Sequence, residues 1–586
     1  MRITNKIMQD NALSNINQNK ILQDKLSTQM ASGKKIQRPS DDPVVAIRAL
    51  RLRTTLSDIT QYRDKNVEDA KSWLKVTEDA IVSIGEALTD MIEQCNSGAN
   101  EDLKTEDREA ILAALKEFRT EIYATGDADY AGRGVFTGYR TGTKLRFEED
   151  SKLTYSITER LDKAIMDDIT YVKMDNGKNT IGAINSGNFT DGDFAMEDTA
   201  VSQETVHRLR LSYNNLDSDV VPKVTYYDKL GNLKQIPIVT ISKYEYEDVL
   251  DENGNKIQET DAAGNPVFDP VTGDPVYVKA DAYQYASTMK KSEVPVLDAD
   301  GNPMMDNTQN PPVPLTEQVT TGAVFIPETG ELILNDDAYQ ALSSVSDLYQ
   351  TDGVDESKIS VTYCKTDWQK GELRPEHYFE CVEDPYDALH PNGKKNIQHN
   401  MDKPKNADDQ IISYDVGFNQ KVRVNTLASE CYTHDIGRDV DDMIAILQQV
   451  GDVEEVVNTL DGIIKDSKTT EADRLIAEKS LTAANKALTF LKEKLQVTFE
   501  NGISGMQKYL DKTTLALTAV GTRGSKLDLV QTRLDSQKTN FKDLVADNEQ
   551  ANTAEVATDL ASAKLAYDAS LMATGKITQS TLMNFI

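Results

Sequence analysis

Two seven-residue series interleave between residues 67 and 95, and they restrict the fold more than any other feature. Val67, Leu74, Ile81, Leu88 and Cys95 form one series, and Ala70, Thr77, Ile84 and Met91 fill the complementary positions. Four heptads in one register predict a helix with a narrow apolar seam of the coiled-coil kind. Such a seam cannot close a core alone. The C-terminal part of the chain supplies similar ones. Leu481, Leu488 and Leu495 recur at seven with Ala484 and Leu491 between them, and Met506, Thr513, Val520, Leu527, Leu534 and Phe541 hold one register. A companion series, Ile503, Leu510 and Leu517, slips before Val530, Gln537 and Leu544. The slip falls at "GTRG" (521–524) and predicts a bend or break there. A last helical segment carries Thr553, Leu560 and Tyr567 beside Val556, Ala563 and Ser570, and ends in "GKITQSTLMNFI".

The first thirty residues show a sparser stripe. Ile7, Leu13, Ile16, Ile21, Leu22, Leu26 and Met30 sit at helical spacing on an Asn- and Gln-rich background. Low apolar density favours a segment that orders on assembly. This stripe and the seam beyond it are separated by "RPSDDP". Pro39 and Pro43 disfavour helix at the residues before them. Either Asp42 caps the next helix with Pro43 at its first position, or Ser40 caps it with Asp41 and Asp42 in the first turn. Pro39, Ser40, Asp41, Asp42 and Pro43 are therefore the expected inter-helix joint. After "NSGAN" (96–100) a second helix has Ile111, Leu112, Leu115, Phe118 and Ile122 on one face.

From about 150 to 430 the grammar changes. Runs such as "PKVTYYD", "GAVFIPETGELIL" and "KISVTYC" are rich in β-branched and aromatic residues. Between them D-x-x-G-N recurs, at Asp228–Asn232, Asp251–Asn255, Asp261–Asn265 and Asp298–Asn302. Glycine supplies a positive φ and the Asp side chain bonds back to the backbone, so each copy predicts a hairpin turn. A calcium loop needs its glycine later and a distal Glu at fixed spacing.

Composition narrows the function. Lys plus Arg number 64 against 96 Asp plus Glu, a net charge of −32. Such a surface repels nucleic acid and anionic membrane, so neither is an expected partner. No apolar run approaches the ~18 residues of a membrane span. The N-terminus "MRITNKIMQDNALSNINQNK" has no signal-peptide h-region. Cys364, Cys381, Cys431, His377, His390, His399 and His434 share one region, but their spacings match no zinc pattern, and a Cys364–Cys381 disulfide is the lesser expectation. Cys95 is expected as a buried thiol. There is no G-x-S-x-G, P-loop or H-E-x-x-H, so no enzyme, cofactor or metal is expected.

The fold expectation is α+β. Long N- and C-terminal helices form a coiled-coil or helical-bundle rod, and a large β-rich insert with hairpins occupies the middle of the chain. The expected divisions are an N-terminal assembly helix (1–42), the first half of a bundle with a β-hairpin (43–148), an outward β-rich insert of one or two subdomains (149–430), the second half of the bundle (431–545) and a C-terminal assembly helix (546–586).

"MASGKKIQRPSDDPVVAIRALRLRTTL" resembles the N-terminal region of bacterial flagellins and their relatives, and the segment from "RLDSQKTNFKDL" to the end resembles their C-terminal region. The Pro-bounded "PSDDP" and "GVFTGYRTGTKLRF" (134–147) are most similar to the branch at the hook–filament junction. The resemblance implies a structural, secreted flagellar adaptor, exported by the type III route and polymerising through paired terminal helices that stay disordered until assembled. It implies self-association in a ring, axial neighbours that are a hook-associated protein and flagellin or a second junction protein, and a cytoplasmic export chaperone. The residues it and the stripes single out for assembly are Ile3, Ile7, Leu13, Ile16, Leu22 and Leu26 at one end. At the other they are Leu560, Tyr567, Leu571, Leu582, Phe585 and Ile586. The alternatives are a flagellin that builds the filament itself, and a surface-binding module carried on the insert.

Overall fold

The computed structural model describes residues 5–100, 103–228, 230–251, 255–260, 265–268, 272–289, 292–298, 302–308, 311–319, 322–344, 350–351, 354–355, 359–384, 396–400 and 410–583. Its helices are α1 (Asn5–Ser32), α2 (Pro43–Gln61), α3 (Glu68–Gly98), α4 (Thr105–Thr125), α5 (Ala282–Thr288), α6 (Asp336–Ser343), α7 (Ala428–Cys431), α8 (His434–Lys465), α9 (Glu471–Glu549) and α10 (Thr553–Met583). The chain divides into two compact units. One holds Met1–Ser72, Ser413–Arg423 and Thr522–Ile586; the other holds Trp73–Ile412 and Val424–Gly521.

In the second unit the heptads do what their spacing predicts. Leu74, Ile81, Leu88 and Cys95, and with them Thr77, Ile84 and Met91, are buried. They pack with α8 and α9: the Cys95 thiol lies 3.5 Å from the Met443 sulfur. At Gly98 a Cβ would sit 2.3 Å from the Phe499 ring, so only glycine lets the two helices come this close. α4 lies against α8, where Arg108 pairs with Glu454 and Arg119 Nη1 reaches Asp441 Oδ1 at 2.5 Å.

The expected break at "GTRG" is corrected: α9 runs through 521–524 without interruption. The seam on α9 is Met506, Tyr509, Thr513, Ala516, Val520, Leu527, Val530 and Leu534, all buried. Tyr509 and Ala516, rather than Leu510 and Leu517, are the companions of the main register, and from them Val530 follows without a slip. Tyr509 belongs in the seam because its hydroxyl donates to Asp439 Oδ2 at 2.7 Å. Gly521 and Gly524 sit on the open side of the helix, with nothing near a would-be Cβ.

The β part consists chiefly of two sheets. The six-stranded one runs, in spatial order, Ile397–His399, Glu380–Glu383, Tyr155–Leu161, Ile359–Lys365, Lys223–Tyr227 and Leu233–Ile236, all antiparallel. The five-stranded one runs Met166–Met174, Val201–Arg210, Glu331–Leu334, Ala323–Ile326 and Ile238–Thr240, with the last pair parallel. One core fills the space between them, from Tyr155, Ile157, Val361 and Tyr363 to Leu209, Phe325 and Leu332. Ala323–Ile326 and Glu331–Leu334 are buried at every position, because α5 covers the other face through Ala282 and Ala286 against Val324, Ile326 and Ile333. The D-x-x-G-N turns close as hairpins. The Asp228, Asp251 and Asp298 amides donate to the carbonyls of Asn232, Asn255 and Asn302 at 3.0, 2.6 and 2.9 Å. Residues 261–264 of the remaining copy lie outside the described residues.

Ion pairs tie this β part to α8. Arg208 bonds Asp167, Glu331 and Asp442, and Arg210 bonds Asp439 and Asp442. Burial opposes ionisation of Asp442, but the two guanidiniums outweigh it and hold its carboxyl well below the usual range. None of the four cysteines is joined to another, so the disulfide weighed for Cys364 and Cys381 is not formed. The histidines are distributed among separate partners. His434 is buried against Tyr213, its Nε2 2.9 Å from the phenol oxygen, and burial pulls its pKa down to about 3. His377 Nε2 faces the Lys144 carbonyl and His399 Nε2 faces Glu383, while His390 is outside the described residues.

The joint lies in the first unit. α1 ends at Gly33, whose φ of +67° and amide bond to the Gln29 carbonyl form a left-handed cap. Asp42 is the N-cap of α2: its Oδ1 accepts from the amides of Val44 and Val45 at 3.0 and 3.1 Å, with Pro43 first in the helix. Of the two caps open from sequence, Asp42 holds the place and Ser40 stays in the preceding turn. Asp41 closes that turn by accepting from the amides of Gln37 and Arg38 at 3.0 and 2.9 Å, which hold its carboxyl below the usual range.

Two expectations follow from these helices. Replacing Gly521 and Gly524 by Ala raises stability by about 0.5–1 kcal/mol each in urea unfolding, because a continuous exposed helix gains from Ala; a helix broken there would be destabilised. Asp42→Ala costs about 1 kcal/mol and Ser40→Ala close to none, since only the first removes a cap. Equal losses would return the cap to Ser40.

Candidate assembly interface

The candidate site is built in the first unit, from α1, α2, α10 and the last turns of α9. α1 and α10 run antiparallel. Asn19 Nδ2 donates to Ser570 Oγ at 2.8 Å near one end. Leu26 packs with Val556 and Ala563, with Leu560 and Ala551 alongside, near the other. Where α1 stops, so does its neighbour. The Lys35 amide donates to the Glu549 carbonyl at 2.7 Å, and the Ala551 amide donates to the Gly33 carbonyl at 2.9 Å. The joint at 33–42 is thus paired with a second, three-residue joint at 550–552. Sequence reading missed this second joint. Its signal is Asn552 with Glu555 three residues on, an N-terminal capping pattern. Asn552 Oδ1 accepts from the amides of Ala554 and Glu555 at 3.2 and 3.4 Å.

Beyond the joints, α2 pairs with the end of α9. Ala46, Ala49 and Ile59 are its buried positions. Around them lie polar ties: Arg53 to Glu549, Arg63 Nε to Asp535 at 2.7 Å, Lys538 to Asp64 at 2.5 Å, and Lys71 to Asp528 at 2.5 Å. These pairs are open to solvent and add little stability each. A π-helical turn, Tyr62–Val67, joins α2 to α3 and carries a hairpin, Ser413–Gly417 with Gln420–Arg423. Asn66 Nδ2 donates to the Asp415 carbonyl there at 2.7 Å.

The residues singled out from sequence divide by burial. Leu26 is buried, and Ile16, Leu560 and Tyr567 are half-buried in or beside the α1–α10 contact. Ile7, Leu13, Leu22 and Leu571 are exposed, Leu13 by 55%. Leu582 lies in α10, and its side chain is outside the described residues, as are Ile3, Phe585 and Ile586. The structure adds apolar side chains that sequence reading did not name for assembly. Leu565 and Met572 stand outward on α10, and Val44, Ile47 and Leu50 on α2. The spacings of seven, and of three and three, are the signal that was available for them. One buried leucine beside many exposed apolar side chains gives a surface with apolar area left to bury. Its chemistry is that of receiving apolar helix faces.

Residues 3–141 match the bacterial flagellin N-terminal helical region. Flagellar hook-associated protein 3 of Salmonella typhimurium is 28% identical over 142 residues, which is 24% of this chain and 44% of that protein. The protein of the same name from Escherichia coli is 26% identical over 153 residues, 26% of this chain and 48% of its own length. The chain thus spans about half the length of the curated relatives it matches. A crystal structure of FlgL from Xanthomonas campestris aligns with 84% of this chain and 99% of its own at 10% identity, with a TM-score of 0.28. The stretch that matches the bacterial flagellin N-terminal helical region holds α1 to α4 and the joint between the first two.

Proposed function

We propose that this chain is a structural adaptor of the bacterial flagellum, acting at the junction of hook and filament and not as an enzyme. The observation that carries the reading is the α1–α10 pair, which buries Leu26, Val556 and Ala563 and leaves Ile7, Leu13, Leu22, Leu565, Leu571 and Met572 outward. Such helices gain most of their burial only when neighbouring subunits supply further apolar faces, so ordering and polymerisation become one event. The relatives named flagellar hook-associated protein 3 support the place in the organelle.

In this reading residues 1–42 and 546–586 are the assembly helices, 43–148 and 431–545 are two halves of a bundle, and 149–430 faces outward. Ile3, Ile7, Leu13, Ile16, Leu22, Leu26, Leu560, Tyr567, Leu571, Leu582, Phe585 and Ile586 carry contacts between subunits. The joint at Pro39–Pro43 lets the inner helix and the bundle helix follow different layers. The chain self-associates in a ring, meets a hook-associated protein on one side and flagellin or a second junction protein on the other, and is held by an export chaperone before secretion.

Electron microscopy of a strain lacking the gene tests the reading. The expected result is bare hooks with flagellin shed into the medium. Full-length filaments in that strain would overturn it, and immunogold labelling along the whole filament would assign the chain to filament building instead.

A further inference from the structure

The hairpin Ser413–Gly417/Gln420–Arg423 ends in Phe418, which is 87% exposed, more than any other large apolar side chain among the described residues. Asn419 follows at a φ of +55°, so the turn is tight and the phenylalanine projects from its tip. The surroundings are basic on balance: four cations stand against Asp415 of the first strand, which lies 3.8 Å from Lys421 Nζ. Lys421 and Arg423 lie on the returning strand, Lys526 Nζ bonds the Lys421 carbonyl, and Arg533 bonds Gln420. On a chain of net charge −32 such a basic collar around an exposed aromatic ring is out of character.

A surface of complementary form lies on α3 and α9. An apolar groove of about 400 Å³ is floored by Ile81, Val82, Gly85, Leu510 and Leu517. Gly85 has no side chain to fill it; the nearest atom to its would-be Cβ is Leu510 Cδ1, at 3.8 Å. Leu510 and Leu517 are the two leucines left off the α9 seam. Glu86 and Asp90 stand on the rim. The groove has the size for one aromatic side chain and the charge for a basic collar.

We infer that the Phe418 tip of one copy seats in the α3–α9 groove of a second copy of this chain. The two surfaces are different patches of one molecule, so the contact is head-to-tail and propagates into a ring or a helical array. It rests on the reading that this chain self-associates, and adds a contact outside the terminal helices. Acidic rim and basic collar orient the encounter and make it sensitive to salt.

The test uses two populations of the purified full chain. One carries Gln420→Cys, beside the intact Phe418; the other carries Thr89→Cys, at the groove. After mixing and oxidation, the disulfide-linked dimer is followed on non-reducing gels and the linked peptide by mass spectrometry. Leu515→Cys, exposed on α9 and outside the groove lining, sets the rate of random collision. The Thr89→Cys mixture should link several-fold faster than the Leu515→Cys mixture. Phe418→Ser in the Gln420→Cys population should slow it roughly tenfold, the scale of burying one phenylalanine. A rate equal to the collision background, or indifferent to Phe418, overturns the contact. Because the measurement needs no flagellum, filaments persisting without the gene would remove the functional reading and leave this result standing.

Discussion

The fold depends on an apolar seam that no single segment can close. α3 presents Leu74, Ile81, Leu88 and Cys95 in one row and Thr77, Ile84 and Met91 in the next. Their partners on α8 and α9 lie more than three hundred residues further along the chain, as the approach of Cys95 to Met443 illustrates. The chain must therefore bring distant segments together before either has a core. The β part is free to be large because it enters and leaves between them. Its own interior, between two sheets and under α5, is separate from the seam. It is held against α8 by the packing of His434 on Tyr213, Tyr378 and Phe379, and by ion pairs, Arg208 and Arg210 on one strand against Asp439 and Asp442. A buried network of this kind is costly to break from one side, since each lost partner leaves a desolvated charge.

The terminal helices stand in a different energetic regime. α1 and α10 make a narrow contact centred on Leu26, and their paired joints are stitched by backbone hydrogen bonds at Gly33, Lys35, Glu549 and Ala551. The sparse apolar content that makes α1 poor at folding alone is what leaves its other faces available. Burial of even a few leucines there stabilises each by about 1.5–3 kcal/mol, enough to decide between a frayed and an ordered pair.

Much of this was legible in the sequence, because a narrow seam writes itself as strict periodicity. Every member of the two α3 series from Leu74 to Cys95 is buried. The Asp42 cap was legible as one of two choices, and backbone amides decide between them. The error at "GTRG" came from ranking Leu510 and Leu517 above Tyr509 and Ala516 by hydrophobicity. A tyrosine with an acceptor, or an alanine facing a close helix, serves a seam as well as leucine. The Asn552 joint was overlooked because no proline marks it. The two-sided burial of "AVFI" and "ELIL" reads as strand in sequence, but the helix covering its second face is seven residues long and leaves little periodicity to detect.

The central claim is that the outward apolar faces of α1 and α10 become covered only on assembly. Hydrogen exchange followed by mass spectrometry tests it on the free full chain and, following the proposed function, on the chain within isolated flagella. The account predicts fast exchange over 5–32 and 553–583 in the free chain, strong protection of both in the organelle, and no change over 73–98. Equal protection of the terminal helices in the two states would contradict it.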